Sequence, residues 1–131
     1  MAKTLDQQRA AFAWECVIHR REKLKDEHWK KYRALAKGAP SLIMTSGLMP
    51  TVSFFQAKGK ENDPAAWCLL DDIIRGLFSR LIGTQLEADK GRLRFGALMN
   101  TLQEYPSADY LRATDETLEI LKWLRQFVDA V

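Results

Sequence analysis

The 131-residue chain is poor in the residues that usually announce chemistry: it has two cysteines, two histidines, four prolines and seven glycines. Cys16 and Cys68 form no CxxC pair and no Cys/His cluster, which excludes the usual zinc frameworks. Each falls at an apolar position of an expected helix, so both read as separate buried thiols rather than as a disulfide. His19 and His28 lie on different sides of any helix that carries both. Glu15, four residues before His19, reads as a solvated helix partner. Gly91 to Gly96 is followed by Ala97-Leu98, so no phosphate-binding GxxxxGK[ST] loop exists, and HExxH, GxSxG and the zinc-deaminase pattern are missing too. Asp71-Asp72 is a paired carboxylate, but neighbours on a helix diverge by about 100° and do not easily share one metal or one proton. The expectation is a protein with no catalytic residues, no metal and no cofactor. No run approaches the roughly 18 apolar residues of a membrane span, and Met1 to Asp6 carries no basic-then-apolar leader pattern, so no membrane is expected and the location is expected to be cytoplasmic.

What is present is a globular composition, 47% apolar and 28% charged with four tryptophans. A chain of this length buries about two-thirds of its unfolded surface and needs no staple. Apolar residues recur at helical spacing and no segment alternates as a half-buried strand would. The fold class is therefore all-α, a single domain over residues 1–131, built as a bundle of about six helices with a long N-terminal helix.

Thr4 is the expected N-cap of that first helix, which should run to Lys37 before Gly38 and Pro40 stop it. Its later seam is Val17, Leu24, His28, Tyr32 and Leu35. A short helix through Leu42, Ile43 and Met44, a break near Gly47 and a second helix ending around Lys58 should follow, with Gly59 to Asp63 as a polar connection. Asp63-Pro64 is a strong start signal, an N-cap followed by a proline at the first helical position. Trp67, Leu70, Ile73, Ile74, Leu77, Phe78, Leu81 and Ile82 then form a wide apolar face closed by Gly83. Leu93, Phe95, Leu98, Met99 and Leu102 outline another helix ending at Tyr105-Pro106. Ser107 is expected to cap the last helix, with Leu111, Thr114, Leu118, Leu121, Leu124, Val128 and Val131 on one face. Ile120, Trp123 and Phe127 lie on a second face that needs a cover of its own.

Charge is distributed unevenly. The net value is +3, yet His19 to Lys37 alone holds eight basic residues against three acids, and Thr101 to Val131 holds six acids against three basic residues. Lys23, Lys30 and Lys37 lie a heptad apart with Arg33 beside them, which makes a basic stripe. Such polarity points to a polyanion at one end or to head-to-tail contact between copies.

Two stretches narrow the choice. Lys30-Lys31-Tyr32-Arg33-Ala34-Leu35-Ala36-Lys37, continuing through Gly38-Ala39-Pro40-Ser41-Leu42-Ile43-Met44-Thr45-Ser46-Gly47-Leu48 to Phe54-Phe55-Gln56-Ala57-Lys58, resembles the central signature of the small subunit of the type III-B CRISPR effector, the Cmr complex. Tyr110-Leu111-Arg112-Ala113-Thr114-Asp115-Glu116-Thr117-Leu118, then Trp123-Leu124-Arg125-Gln126-Phe127 and Ala130, resembles the closing helix of the same family. Together they cover about two-fifths of the chain. The resemblance implies a non-catalytic helical bundle whose copies stack in a row inside an RNA-guided ribonucleoprotein, beside the duplex of guide RNA and target RNA. Its partners would be the other Cmr subunits, both RNAs and neighbouring copies of itself. Sequence-independent phosphate contacts would then fall to Arg20, Arg21, Lys23, Lys30, Arg33 and Lys37, extended by Lys58 and Lys60. Subunit contacts would fall to Asp115, Glu116, Glu119 and Trp123. A small DNA-binding regulator of helix-turn-helix type is the alternative, although its recognition helix should be short and follow a tight turn. An enzyme would need a polar constellation in a pocket.

Overall fold

A computed structural model describes residues 2–82 and 91–131. Six α-helices account for almost all of them, and no strand occurs among the described residues: α1 (Leu5–Lys23), α2 (Asp26–Ser46), α3 (Leu48–Lys60), α4 (Pro64–Leu77), α5 (Gly91–Glu104) and α6 (Ser107–Ala130). A π-helical turn, Phe78–Ile82, continues α4. The all-α bundle of about six helices is therefore present.

Several expected boundaries hold. Thr4 caps α1 reciprocally: its hydroxyl accepts from the Gln7 N–H, and the Gln7 side chain accepts from the Thr4 N–H. Asp63 accepts from the Ala66 N–H ahead of Pro64 and starts α4. Gly47, at φ 96°, closes α2 through its N–H to the Ile43 carbonyl at 2.8 Å and at once opens α3.

The helix expected from Thr4 to Lys37 is two helices instead. Leu24 and Lys25 are extended, and the chain turns between α1 and α2. The buried faces explain the break. Ala13, Cys16 and Val17 face the core from α1, and Trp29, Tyr32, Ala36, Ala39 and Ile43 from α2. At 100° per residue those two sets would stand about 130° apart on one straight helix, so a single rod could not bury both. Local charge favours the same place: Arg20, Arg21 and Lys23 end α1, and Asp26 and Glu27 begin α2, each sign matching the helix dipole it faces.

The expected stop at Gly38 and Pro40 is absent too, because α2 runs through both. Pro40 forfeits one helical hydrogen bond, and the flanking Ala36, Ala39 and Ile43 are buried, so tertiary packing holds the helix together. Lys58 and Lys60 belong to the last turn of α3 rather than to a loop. Ser107 is the first residue of α6 and gives no side-chain cap. On α6 the buried set is Ala113, Glu116, Thr117, Ile120, Leu121, Leu124 and Val128, while Leu111 is 59% exposed. Trp67 on α4 is exposed as well. The expected cap at Gly83 lies outside the described residues.

One connected core joins all six helices, with α4 buried on nearly every side. Gly76 marks the tightest approach: a Cβ there would meet Ile120 Cδ1 of α6 at 2.7 Å and Phe12 Cε2 of α1 at 3.0 Å. The two stretches that carry the family resemblance also meet. The Tyr110 hydroxyl of α6 accepts from the Met49 N–H at 3.1 Å, satisfying one of the open donors at the start of α3.

Candidate nucleic-acid interface

Helix geometry places Lys30, Arg33 and Lys37 along one line of α2, three and four residues apart. Lys30 is exposed, while Arg33 and Lys37 reach across to α6. There, Asp129 Oδ1 accepts from Arg33 Nε at 2.9 Å and from Lys37 Nζ at 3.2 Å. Those hydrogen bonds, Lys37 first and Arg33 second, pull the Asp129 carboxyl below its ordinary value. Lys23 is exposed at the end of α1, on the other side of the turn, so it does not continue the α2 line as a heptad neighbour. Arg21 spans the same turn. Its guanidinium pairs with Asp26 at 3.3 Å and lies 5.5 Å from the centre of the Trp29 ring. Lys58 and Lys60 are exposed on α3, with Lys58 over the Phe54 ring.

Arg20 does not belong to this surface. It points inward, and its Nη2 lies 2.8 Å from Asp72 Oδ1 and 2.9 Å from Asp71 Oδ2. Asp72 is fully buried and accepts from the Tyr32 hydroxyl at 2.6 Å and from Arg75 at 2.8 Å. Asp71 also accepts from Arg75, and its other oxygen accepts from Arg94 of α5. The two adjacent carboxylates thus converge on one guanidinium in spite of their divergence along the helix, because Arg20 is wide enough to bridge them. Burial pulls the Arg20 guanidinium down, and the charge and hydrogen bonds of Asp72 more than restore it. Burial first, and then Asp72, push the Tyr32 hydroxyl well above the ordinary tyrosine value.

Sequence reasoning missed this cluster. Its signal was present: two acids and, at the next turn, Arg75, all inside the most apolar helix of the chain. A buried charge there needs partners from elsewhere. An open cleft of about 320 Å³ borders the cluster between α1 and α4, where Glu15, His19, Arg20, Asp71 and Arg75 line it. The Asp71 carboxylate in it is engaged by three arginines, Arg20, Arg75 and Arg94. Among the described residues no group of three or more His, Cys, Asp and Glu is arranged to hold a metal ion, and no helix is long and apolar enough to cross a membrane. The thiols stay apart; burial pushes both Cys16 and Cys68 up, which keeps them protonated.

The acidic end divides in the same way. Glu116 is buried and takes a two-pronged ion pair from Arg9 of α1, at 2.8 and 2.7 Å. It is an internal residue and so is withdrawn from the expected subunit-contact set. Asp115 is exposed, and the half-buried Glu119 lies 3.3 Å from Lys122 on the same helix. Trp123 stacks on Phe127 at 5.7 Å, and Phe127 meets Trp14 of α1 edge-on at 5.2 Å. The second apolar face of α6 is thus covered in part by α1, and Trp14 remains 44% exposed.

Residues 5–131 match a protein family described as CRISPR-associated protein (Cas_Cmr5). The chain is 28% identical over 129 residues to the CRISPR system Cmr subunit Cmr5 of Thermus thermophilus, covering 98% of this chain and 96% of that one. It also superimposes on the crystal structure of a CRISPR-associated Cmr5 family protein from the same organism. That match has a TM-score of 0.71 at 26% identity, covering 98% of this chain and 97% of the other.

Proposed function

Since the chain belongs to the Cmr5 family of CRISPR-associated proteins, and is thus a small subunit of a type III-B Cmr complex, we propose that it acts without catalysis, as a positioning subunit for RNA. Copies stack in a row within the cytoplasmic ribonucleoprotein, and each copy lays its basic face against the backbone of the duplex between guide and target RNA. The observation that carries this is the line of Lys30, Arg33 and Lys37 on α2, with Lys23 and Arg21 at the nearby turn. Cations at helical spacing on a surface bind phosphate without regard to sequence. Lys58 and Lys60 on the end of α3 extend the charge. The family assignment does not favour the helix-turn-helix alternative.

Stacking uses the acids Asp115 and Glu119 of α6 against a basic surface of the next copy, beside the partly covered Trp123. The test is reconstitution of the complex with Lys23→Glu and Lys30→Glu together. Target-RNA affinity should fall, and the slope of log affinity against log salt should flatten by about 0.7–0.9 for each phosphate contact removed. Unchanged affinity and slope would refute the basic face as the RNA surface.

A further inference from the structure

Two of the three cations on the α2 line are closed by a carboxylate of this same chain. Asp129 takes Arg33 Nε at 2.9 Å on Oδ1, while Lys37 Nζ lies 3.0 Å from Oδ2, so one side chain spans both cations much as a phosphate would. These three groups are open to solvent: the side chains of Arg33, Lys37 and Asp129 are 48%, 39% and 43% exposed. Another ion pair that ties α6 to a neighbouring helix, Arg9 with Glu116, is only 16% and 6% exposed. A buried pair of that kind exchanges partners at a high cost in desolvation. An exposed one contributes little and is readily replaced by a competing anion.

We propose that Asp129 is an internal competitor for RNA phosphate, holding Arg33 and Lys37 extended along α2 and yielding them when a nucleic-acid backbone docks. This rests on the RNA-binding role proposed above. The competition sets the strength of the site. With Asp129 ionised the triad carries one net positive charge; without it, two. A phosphate arriving at Arg33 or Lys37 displaces a tethered carboxylate rather than a mobile counterion, and the released carboxylate then repels the backbone. Each subunit therefore binds weakly alone, and useful affinity comes from repetition along the complex.

The test is a titration of the full chain with a short mixed-sequence RNA duplex at several KCl concentrations, read by fluorescence anisotropy. Asp129→Asn should tighten binding about two- to fivefold, the scale of an exposed ion pair. It should also steepen the salt slope by about 0.7–0.9. Asp109→Asn, which removes an acid at the opposite end of α6, should do neither. Arg33→Gln with Lys37→Gln should weaken binding, and adding Asp129→Asn to that pair should then change nothing. Far-ultraviolet circular dichroism confirms that each variant is folded. If the paired glutamine variant weakens binding but Asp129→Asn leaves affinity and slope as they were, the competitor role is overturned and the RNA-binding role stands. If the paired variant binds as the wild type does, or no variant binds even at low salt, the competitor role is overturned, and the RNA-binding role is decided by the reconstituted complex carrying Lys23→Glu and Lys30→Glu.

Discussion

Tyr32 on α2 and Asp72 on α4 are joined by a 2.6 Å hydrogen bond from hydroxyl to carboxylate, at a point where both residues are completely buried. The bond fixes the first half of the family signature to the central helix. Tyr32→Phe should cost about 1.5–3 kcal/mol, the usual range for a hydrogen bond to a charged group. Asp72→Asn should cost roughly 3–5 kcal/mol, because Arg20 would be left in the interior without its main counter-charge. Urea unfolding of the two variants checks the order and the size.

The same site predicts an alkaline weakness. Tyr32 is held protonated in the folded protein by burial and by the neighbouring carboxylate, and the Cys16 thiol is held protonated by burial first and then by Asp72. Groups with raised values bind more protons folded than unfolded, so stability is intact below their ordinary values and declines as pH climbs beyond them. The melting temperature should therefore drop above about pH 9–10, the range in which free thiols and phenols ionise. The drop should be shallower in Tyr32→Phe. An equal slope in both proteins would assign the alkaline loss to other groups.

Gly76 should not tolerate a methyl group. Alanine is the better helix former by roughly 1 kcal/mol, but its Cβ would press on Ile120 and Phe12 from two neighbouring helices. A net loss of about 1–3 kcal/mol is expected from overpacking. Gly38→Ala provides the contrast, since nothing lies within 4 Å of a Cβ there; it should raise the melting temperature slightly. Thermal melts of the two single variants give the comparison.

Charge reversal on α6 should separate folding from assembly. Glu116→Lys would place a cation against Arg9 in a buried position and should cost about 3–5 kcal/mol. Asp115→Lys with Glu119→Lys alters positions that reach solvent, so its effect on stability should stay within about 0.5 kcal/mol per site. That second variant should still lower recovery of the chain with its partner subunits on size-exclusion chromatography. Full recovery would place the subunit contact elsewhere.

The family and much of the local structure were legible in the sequence because they depend on near neighbours. Thr4 with Gln7, Asp63-Pro64, Gly47 and Tyr105-Pro106 set helix ends through bonds that reach no more than four residues. Charge counting identified a basic and an acidic end. It could not say which charges face outward, and there the structure made the larger changes: Arg20 and Glu116, counted among the surface candidates, turn into the interior to meet Asp72 and Arg9. Lys23 and Lys30, expected on one rod, stand on either side of a turn.

The sequence by itself determined that the chain is helical, where several of its helices begin or end, and, through two quoted stretches, the family to which it belongs. Only the tertiary structure decided the break at Leu24 and Lys25, the continuation of α2 through Pro40, the pairing of Asp71 and Asp72 on one arginine, and the capture of Arg33 and Lys37 by Asp129. The reason is one of range. A cap is an interaction between near neighbours, whereas the direction of a buried face and the partner of a charge depend on helices that are remote in sequence and meet only in the folded bundle.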